Sequence, residues 1–188
     1  MDKNNHPGNG LIVYDSKYGA THQYADWLAS ELKLPLRTPD QVTADQIKNA
    51  GFLVIGTPIY IGKFRVQKWL NKNIKNFSNK KLFVFIVNAT APEEQSTRGQ
   101  FVQNNIPGEL KENCRIYFLP GRIIHKKLSF RDKLLLLMRA STIKDPLKRK
   151  EMQSDFDNVK KDNLVPVIKA VKDYIYSKLP LSTSKILL

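Results

Sequence analysis

Apolar residues in this chain fall into short unbroken runs. Each run ends in a polar or glycine-bearing loop, and most loops lead into a stretch with helical spacing. Leu11, Ile12, Val13 and Tyr14 form the first run, stopping at Asp15-Ser16. Residues 52–55 form the next clear one, closed by Gly56-Thr57-Pro58. Residues 82–87 form the strongest, and residues 115–119 the last, ended by Pro120-Gly121. A brief stretch at 34–37 adds a fifth candidate strand. Between them, Tyr24, Ala25, Leu28 and Leu32 predict a helix over 21–32, and Val66, Trp69, Leu70 and Ile74 predict one over about 64–74. Residues 41–50 read as a loop with a short helix, and 97–105 as a further helix. A final amphipathic helix spans 164–179, with Pro166 in its first turn, where proline is tolerated.

Strands that are apolar throughout are buried on both faces, and helices between them supply the cover. The expected fold is therefore α/β: a doubly wound five-stranded parallel sheet. Residues 10–178 form the domain, with tails at 1–9 and 179–188. No internal repeat or low-complexity tract interrupts it. Sheets of this kind bind ligands beyond the carboxyl ends of their strands. That directs attention to three loops, after Asp15, after Gly56 and after Val87.

The first loop, Ser16-Lys17-Tyr18-Gly19-Ala20-Thr21, joins a buried strand to a helix start. Hydroxyl side chains bracket a glycine where unpaired backbone N–H groups and the positive end of the helix dipole converge, an arrangement suited to a phosphate. Thr21 or Ser16 acting only as a helix cap is an equal alternative. The loop is neither a GxxxxGK[ST] P-loop nor a dinucleotide fingerprint, because Gly8 and Gly10 precede the strand. The second loop runs Thr57-Pro58-Ile59-Tyr60-Ile61-Gly62. Its aromatic and branched apolar side chains suit a flat ring, with Tyr60 the expected stacking residue and Ile59 and Ile61 the alternatives. The third, Asn88-Ala89-Thr90-Ala91, is small and polar, so its backbone can approach a ring edge.

Charge changes the picture next. The 188 residues carry 31 Lys and Arg against 17 Asp and Glu, for a net +14. Between Arg122 and Lys150 ten cations face only Asp132 and Asp145, so more than half of the excess lies in one segment. Within it, Phe130, Leu134, Leu137 and Met138 recur at helical spacing. Such a segment can lie on an anionic membrane surface, cover a site as a lid, or pack on the domain with its charges solvated. Nucleic acid is disfavoured, since no recognition motif accompanies the charge. The single cysteine, Cys114, makes no internal disulfide, and His6, His22 and His125 show no zinc-type spacing. The polar first ten residues lack the apolar core of a signal peptide, which makes the cytoplasm the expected compartment.

The run from Val13 to Thr21 resembles the phosphate loop of the flavodoxin-like family, a strand followed by [ST]-x-[TY]-G-x-T. The run from Val54 to Gly62 resembles that family's flavin-ring loop. Within the family, the Gly-x-x-Ile-x-x-Gly loop and the basic insertion at about 122–162, before the last helix, are similar to the branch containing menaquinone-dependent protoporphyrinogen dehydrogenase. The resemblance implies non-covalent flavin mononucleotide (FMN). Ser16, Tyr18, Gly19, Ala20 and Thr21 would hold the phosphate, with Lys17 either neutralising it or pointing to solvent. Thr57, Pro58, Ile59, Tyr60, Ile61 and Gly62 would line one side of the ring, and Asn88, Ala89, Thr90 and Ala91 the other. Two functions follow as expectations. One is an FMN oxidoreductase that moves electrons from an organic donor, such as a porphyrinogen, to a quinone-type acceptor, with residues 126–139 touching the inner face of an anionic membrane. The other is an electron carrier that docks on a redox partner. Known carriers of this family are acidic, and the opposite sign here favours the enzyme. No general acid or base stands out.

Overall fold

The structure is a computed structural model that describes residues 9–77, 79–88, 95–152 and 154–179. Strand β1 (Gly10–Tyr14) leads into helix α1 (Ala20–Leu32), then β2 (Leu36–Arg37), α2 (Ala44–Asn49) and β3 (Phe52–Tyr60). A two-residue strand, β4 (Lys63–Phe64), folds back on the end of β3, and α3 (Gln67–Lys72) and α4 (Ile74–Phe77) follow. Next come β5 (Lys81–Asn88), α5 (Gln95–Asn105) and β6 (Cys114–Pro120). The last third holds β7 (Arg122–Ile123), α6 (Phe130–Ser141), α7 (Pro146–Met152), β8 (Phe156–Asp157) and α8 (Val165–Lys178).

The five main strands are all parallel, in the order β2-β1-β3-β5-β6. The chain winds outward from β1 on one side and from β3 on the other, so the reversal of direction falls between them. Side chains alternate across the sheet. Leu53, Ile55, Leu82, Val84 and Ile86 pack under α2 to α5, with Ile47, Leu70 and Phe77. Phe52, Val54, Phe83, Phe85 and Val87 pack on the other face under α1 and α8, with Tyr24, Leu28, Val167 and Val171. Both faces are dry, which is why the strands read as unbroken apolar runs.

Two sequence expectations fail here. The second clear strand does not stop at Gly56-Thr57-Pro58. It continues to Tyr60, because Gly56, Thr57 and Pro58 pair with Phe85, Ile86 and Val87 of the long neighbouring strand and Ile59 and Tyr60 pair with β4. The helix expected over 64–74 is broken: Lys63 and Phe64 join a hairpin, and helix resumes only at Gln67. Periodicity registered the buried side of this segment (Val66, Leu70) but not the turn before it.

The basic insertion is structured. Between β6 and α8 it forms α6, α7 and the antiparallel pair β7-β8, with Arg122 opposite Asp157 and Ile123 opposite Phe156. Tyr24 of α1 pins its base, donating to the Pro120 carbonyl at 2.9 Å and accepting from Asn163 at 2.7 Å.

Candidate functional site

The loop after β1 turns into α1 through Gly19, which has φ +86°, a left-handed conformation that a side chain resists. A Cβ on Gly19 would meet nothing within 4 Å, so the cradle above it is open. The Gly19 N–H donates to Ser16 Oγ at 3.1 Å, which closes the loop on itself. Neither Ser16 nor Thr21 caps the helix, and the first turn of α1 carries no acidic residue. The start of α1 therefore presents N–H groups with no side-chain cap and no acidic residue in its own first turn, and this donor set fits a phosphate. Ser16 and Ala20 are half-buried, Gly19 is exposed, and Thr21 is 1% exposed. A cleft of about 450 Å³ opens beside the loop on the β2 side, between Asp15, Ser16, His22, Thr38 and Arg65.

The second loop is the tip of the β3–β4 hairpin. Ile61 (φ +50°) and Gly62 (φ +73°) both have positive φ, as the tight I′ hairpin turn requires. Glycine takes this conformation freely, but a β-branched residue in it is strained by roughly 1–3 kcal/mol. Ile61 nonetheless sits there with its side chain 67% exposed. The rest of the loop faces elsewhere. Thr57 is fully buried within the sheet, Pro58 pairs with Val87, and Ile59 packs on the core beneath.

Tyr60 is not free to present both its ring and its hydroxyl. Its hydroxyl donates to Asp132 Oδ1 at 2.6 Å, and the Lys17 ammonium lies 3.6 Å from its ring centroid. On the third loop, Asn88 ends β5 and its carbonyl accepts the Gly121 N–H at 2.8 Å. Ala89, Thr90 and Ala91 lie outside the described residues.

Asp132, in the first turn of α6, is the centre of the site, and in the sequence it is only one charge among the insertion's many. Its side chain is 8% exposed and accepts from the Lys17 ammonium at 2.6 Å, from Tyr60 and from the Tyr18 hydroxyl. The Ser129 N–H donates to that same Tyr18 oxygen at 3.2 Å, and Ser129 Oγ accepts the Asp132 N–H. Burial pushes the Asp132 carboxyl up, but the hydrogen bonds from Lys17, Tyr18 and Tyr60, together with the Lys17 charge, outweigh burial and hold it at about 2. Burial pulls Lys17 down, and the bond to Asp132 leads the effects that leave it raised. The sequence signal for this arrangement was Ser129-Phe130-Arg131-Asp132, a capping pattern at a helix start.

Two further residues brace the hairpin. Arg65 Nε donates to Asp15 Oδ1 at 2.8 Å, tying it to the first loop. Asn105, 2% exposed at the end of α5, accepts the Phe64 N–H at 2.9 Å and donates to the carbonyls of Gly62 (3.0 Å) and Phe101 (2.9 Å). A larger groove of about 800 Å³ lies away from the strand ends, between α5 and β6, lined by Arg98, Val102, Lys111, Ile116 and Phe118.

A family model described as a flavodoxin domain matches residues 11–152. The chain belongs to the flavodoxin domain family. No curated protein sequence matches this flavodoxin domain. Solved structures similar to it include a flavodoxin from the domain Archaea, at 12% identity over 87% of this chain and 98% of that one, with a TM-score of 0.43. Oxidised Flavodoxin 1 from Bacillus cereus is 10% identical over 91% and 99%, with a TM-score of 0.43. Azoreductase AzrA is 10% identical over 87% and 99%, with a TM-score of 0.49. The family match is to the flavodoxin domain as a whole and does not reach the protoporphyrinogen dehydrogenase branch. Among the described residues, no helix is long and apolar enough to cross a membrane.

Proposed function

We propose that this flavodoxin domain binds one FMN and works as an oxidoreductase between an organic donor and a quinone-type acceptor. The observation that carries it is the uncapped, acid-free start of α1 with the open Gly19 cradle, set beside an exposed apolar hairpin tip at the carboxyl end of the sheet. Ala20 and Thr21 would offer backbone N–H groups to the phosphate and Ser16 its hydroxyl, while Gly19, whose N–H is taken by Ser16 Oγ, leaves the space for it open. Ile61 and Gly62 would flank the ring on one side and the segment from Asn88 to Ala91 on the other. Ile61 replaces Tyr60 as the residue we expect against the ring, because the Tyr60 hydroxyl and ring are already engaged. When bound, FMN supplies one- and two-electron redox chemistry. The protein's own part is to orient the ring, exclude water from its buried side and bring substrates to its exposed edge.

The insertion supports the enzyme over the carrier. Helix α6 places Phe130 (82% exposed), Leu137 and Met138 at the surface, near exposed cations including Lys126, Lys127, Arg131 and Lys133. This face suits a peripheral contact with an anionic membrane, where a lipid-soluble quinone is reached. A cytoplasmic protein visiting the inner membrane face is the corresponding location. A porphyrinogen donor rests on the similarity of the insertion and the glycine-framed loop. The test is an anaerobic screen of the FMN-loaded protein. Rapid flavin re-oxidation by a menaquinone analogue, with turnover of a porphyrinogen, supports this function. Re-oxidation only by one-electron acceptor proteins supports the carrier.

A further inference from the structure

The start of helix α6 is fastened to the first loop and the hairpin mainly through one carboxylate, with the Ser129 N–H adding a bond to the Tyr18 hydroxyl. Asp132 holds Lys17 and Tyr18 of the first loop and Tyr60 of the hairpin, so three chain segments far apart in sequence meet on two oxygens. It does so within two residues of the Gly19 cradle that suits a dianion. Lys17 carries a single ammonium, and Asp132 already neutralises it. A phosphate arriving at the start of α1 brings two negative charges beside a buried third and draws on the same cation.

We propose that Asp132 is a latch whose hold on Lys17 competes with a phosphate at the first loop, so that FMN binding and the docking of α6 are linked and antagonistic. Asp132 is thus a positioning residue acting through Lys17. With the latch closed, α6 rests on both loops and Lys17 covers the Tyr60 ring. With phosphate bound, Lys17 turns to the dianion, Asp132 loses its strongest partner, and the basic insertion loosens from the site. Linkage is reciprocal: whatever FMN costs the docking of α6, that docking costs FMN. The outward cations of the insertion then become free to move with cofactor loading. This inference rests on FMN binding at the first loop, but half of its test does not.

The test uses the full chain and three variants, Asp132→Asn, Lys17→Met and the double variant. Hydrogen exchange of the α6 amides is measured without flavin. Fastening by Asp132 requires faster α6 exchange in Asp132→Asn than in wild type, with the sheet amides unchanged as a check that the variant is folded. Equal exchange overturns the latch. Flavin affinity is then read by fluorescence quenching with FMN and with riboflavin, which lacks the phosphate. Asp132→Asn should bind FMN about tenfold more tightly, a coupling of ordinary size, and riboflavin as wild type does. In the Lys17→Met background the same change should shift FMN by less than about twofold, because the contested cation is gone. FMN and riboflavin shifting together, or a full FMN gain that survives without Lys17, overturns the competition. If the wild type binds neither flavin, the cofactor assignment and the linkage fall together, while the α6 exchange result still decides the fastening.

Discussion

Asn105 anchors the hairpin that carries Ile61, and replacing it with alanine tests that role. The amide serves a buried Phe64 N–H and the Gly62 carbonyl, with a third bond to Phe101 inside its own helix. Leaving a buried donor unsatisfied costs about 1–3 kcal/mol. Losing the bond to Gly62, an exposed residue, costs about 0.5–1 kcal/mol because water replaces it. The Phe101 carbonyl lies within the helix, so its loss adds little. Alanine returns a few tenths of a kcal/mol in helix propensity at the helix end. The net expectation is a loss of about 2 kcal/mol. In urea, with a slope of about 2 kcal/mol/M, the midpoint falls by about 1 M. Hydrogen exchange should place the damage, with the amides of Ile61 to Phe64 losing protection before those of β5. A loss under about 0.5 kcal/mol, or one with the hairpin amides unchanged, refutes the anchoring role.

Further outcomes follow from other positions. Ala20→Asp puts a carboxylate in the first turn of α1, where it should stabilise the flavin-free protein by about 0.3–1 kcal/mol through the helix dipole. The same change should weaken FMN about tenfold by placing like charge beside the phosphate, and thermal melting plus a flavin titration read the two opposite signs. Thr21→Asp should weaken FMN too, but at 1% exposure it also buries a charge, so its melting temperature should fall. Asp132, depressed to about 2 in the fold from an ordinary 3.8, contributes stability that is complete above about pH 4 and is lost as the pH falls through 2. The shift corresponds to about 2 kcal/mol, so acid unfolding of Asp132→Asn should lack that part of the slope between pH 4 and 2. Burial pushes the Cys114 thiol up to about 11. At pH 8 about one molecule in a thousand is then thiolate, so Cys114 should react with a disulfide reagent far more slowly in the folded protein than in urea.

The sheet and its order of elements were legible because a parallel strand buried on both faces leaves an unbroken apolar run, and four such runs stand in the sequence beside the brief edge stretch at 34–37. The turn into α1 was legible because its geometry is local: Ser16, Gly19 and the start of α1 are neighbours in the chain. The hairpin was not. Residues 56–60 look like loop, with Gly, Thr and Pro together, and pairing extends the strand through them, with β5 as far as Pro58 and with β4 at Ile59 and Tyr60. Tyr60 is the expected stacking residue because it is the aromatic in a glycine-framed apolar loop. Its contacts within the fold, Lys17 and Asp132, lie 43 and 72 positions away, beyond any spacing rule. Asp132 was hidden for a related reason. With Asp145, among ten cations, it reads as a counter-charge, and only the fold shows that it points inward to the first loop and the hairpin.

The most direct measurement is a titration of the purified, flavin-stripped chain with FMN and, separately, with riboflavin, followed by quenching of flavin fluorescence. The expected result is one FMN per chain, with riboflavin held about a hundredfold more weakly because it lacks the charge that the start of α1 receives. Equal affinity for the two flavins would deny the phosphate role of residues 16–21. No quenching by either would contradict flavin binding itself and leave this flavodoxin domain without its cofactor.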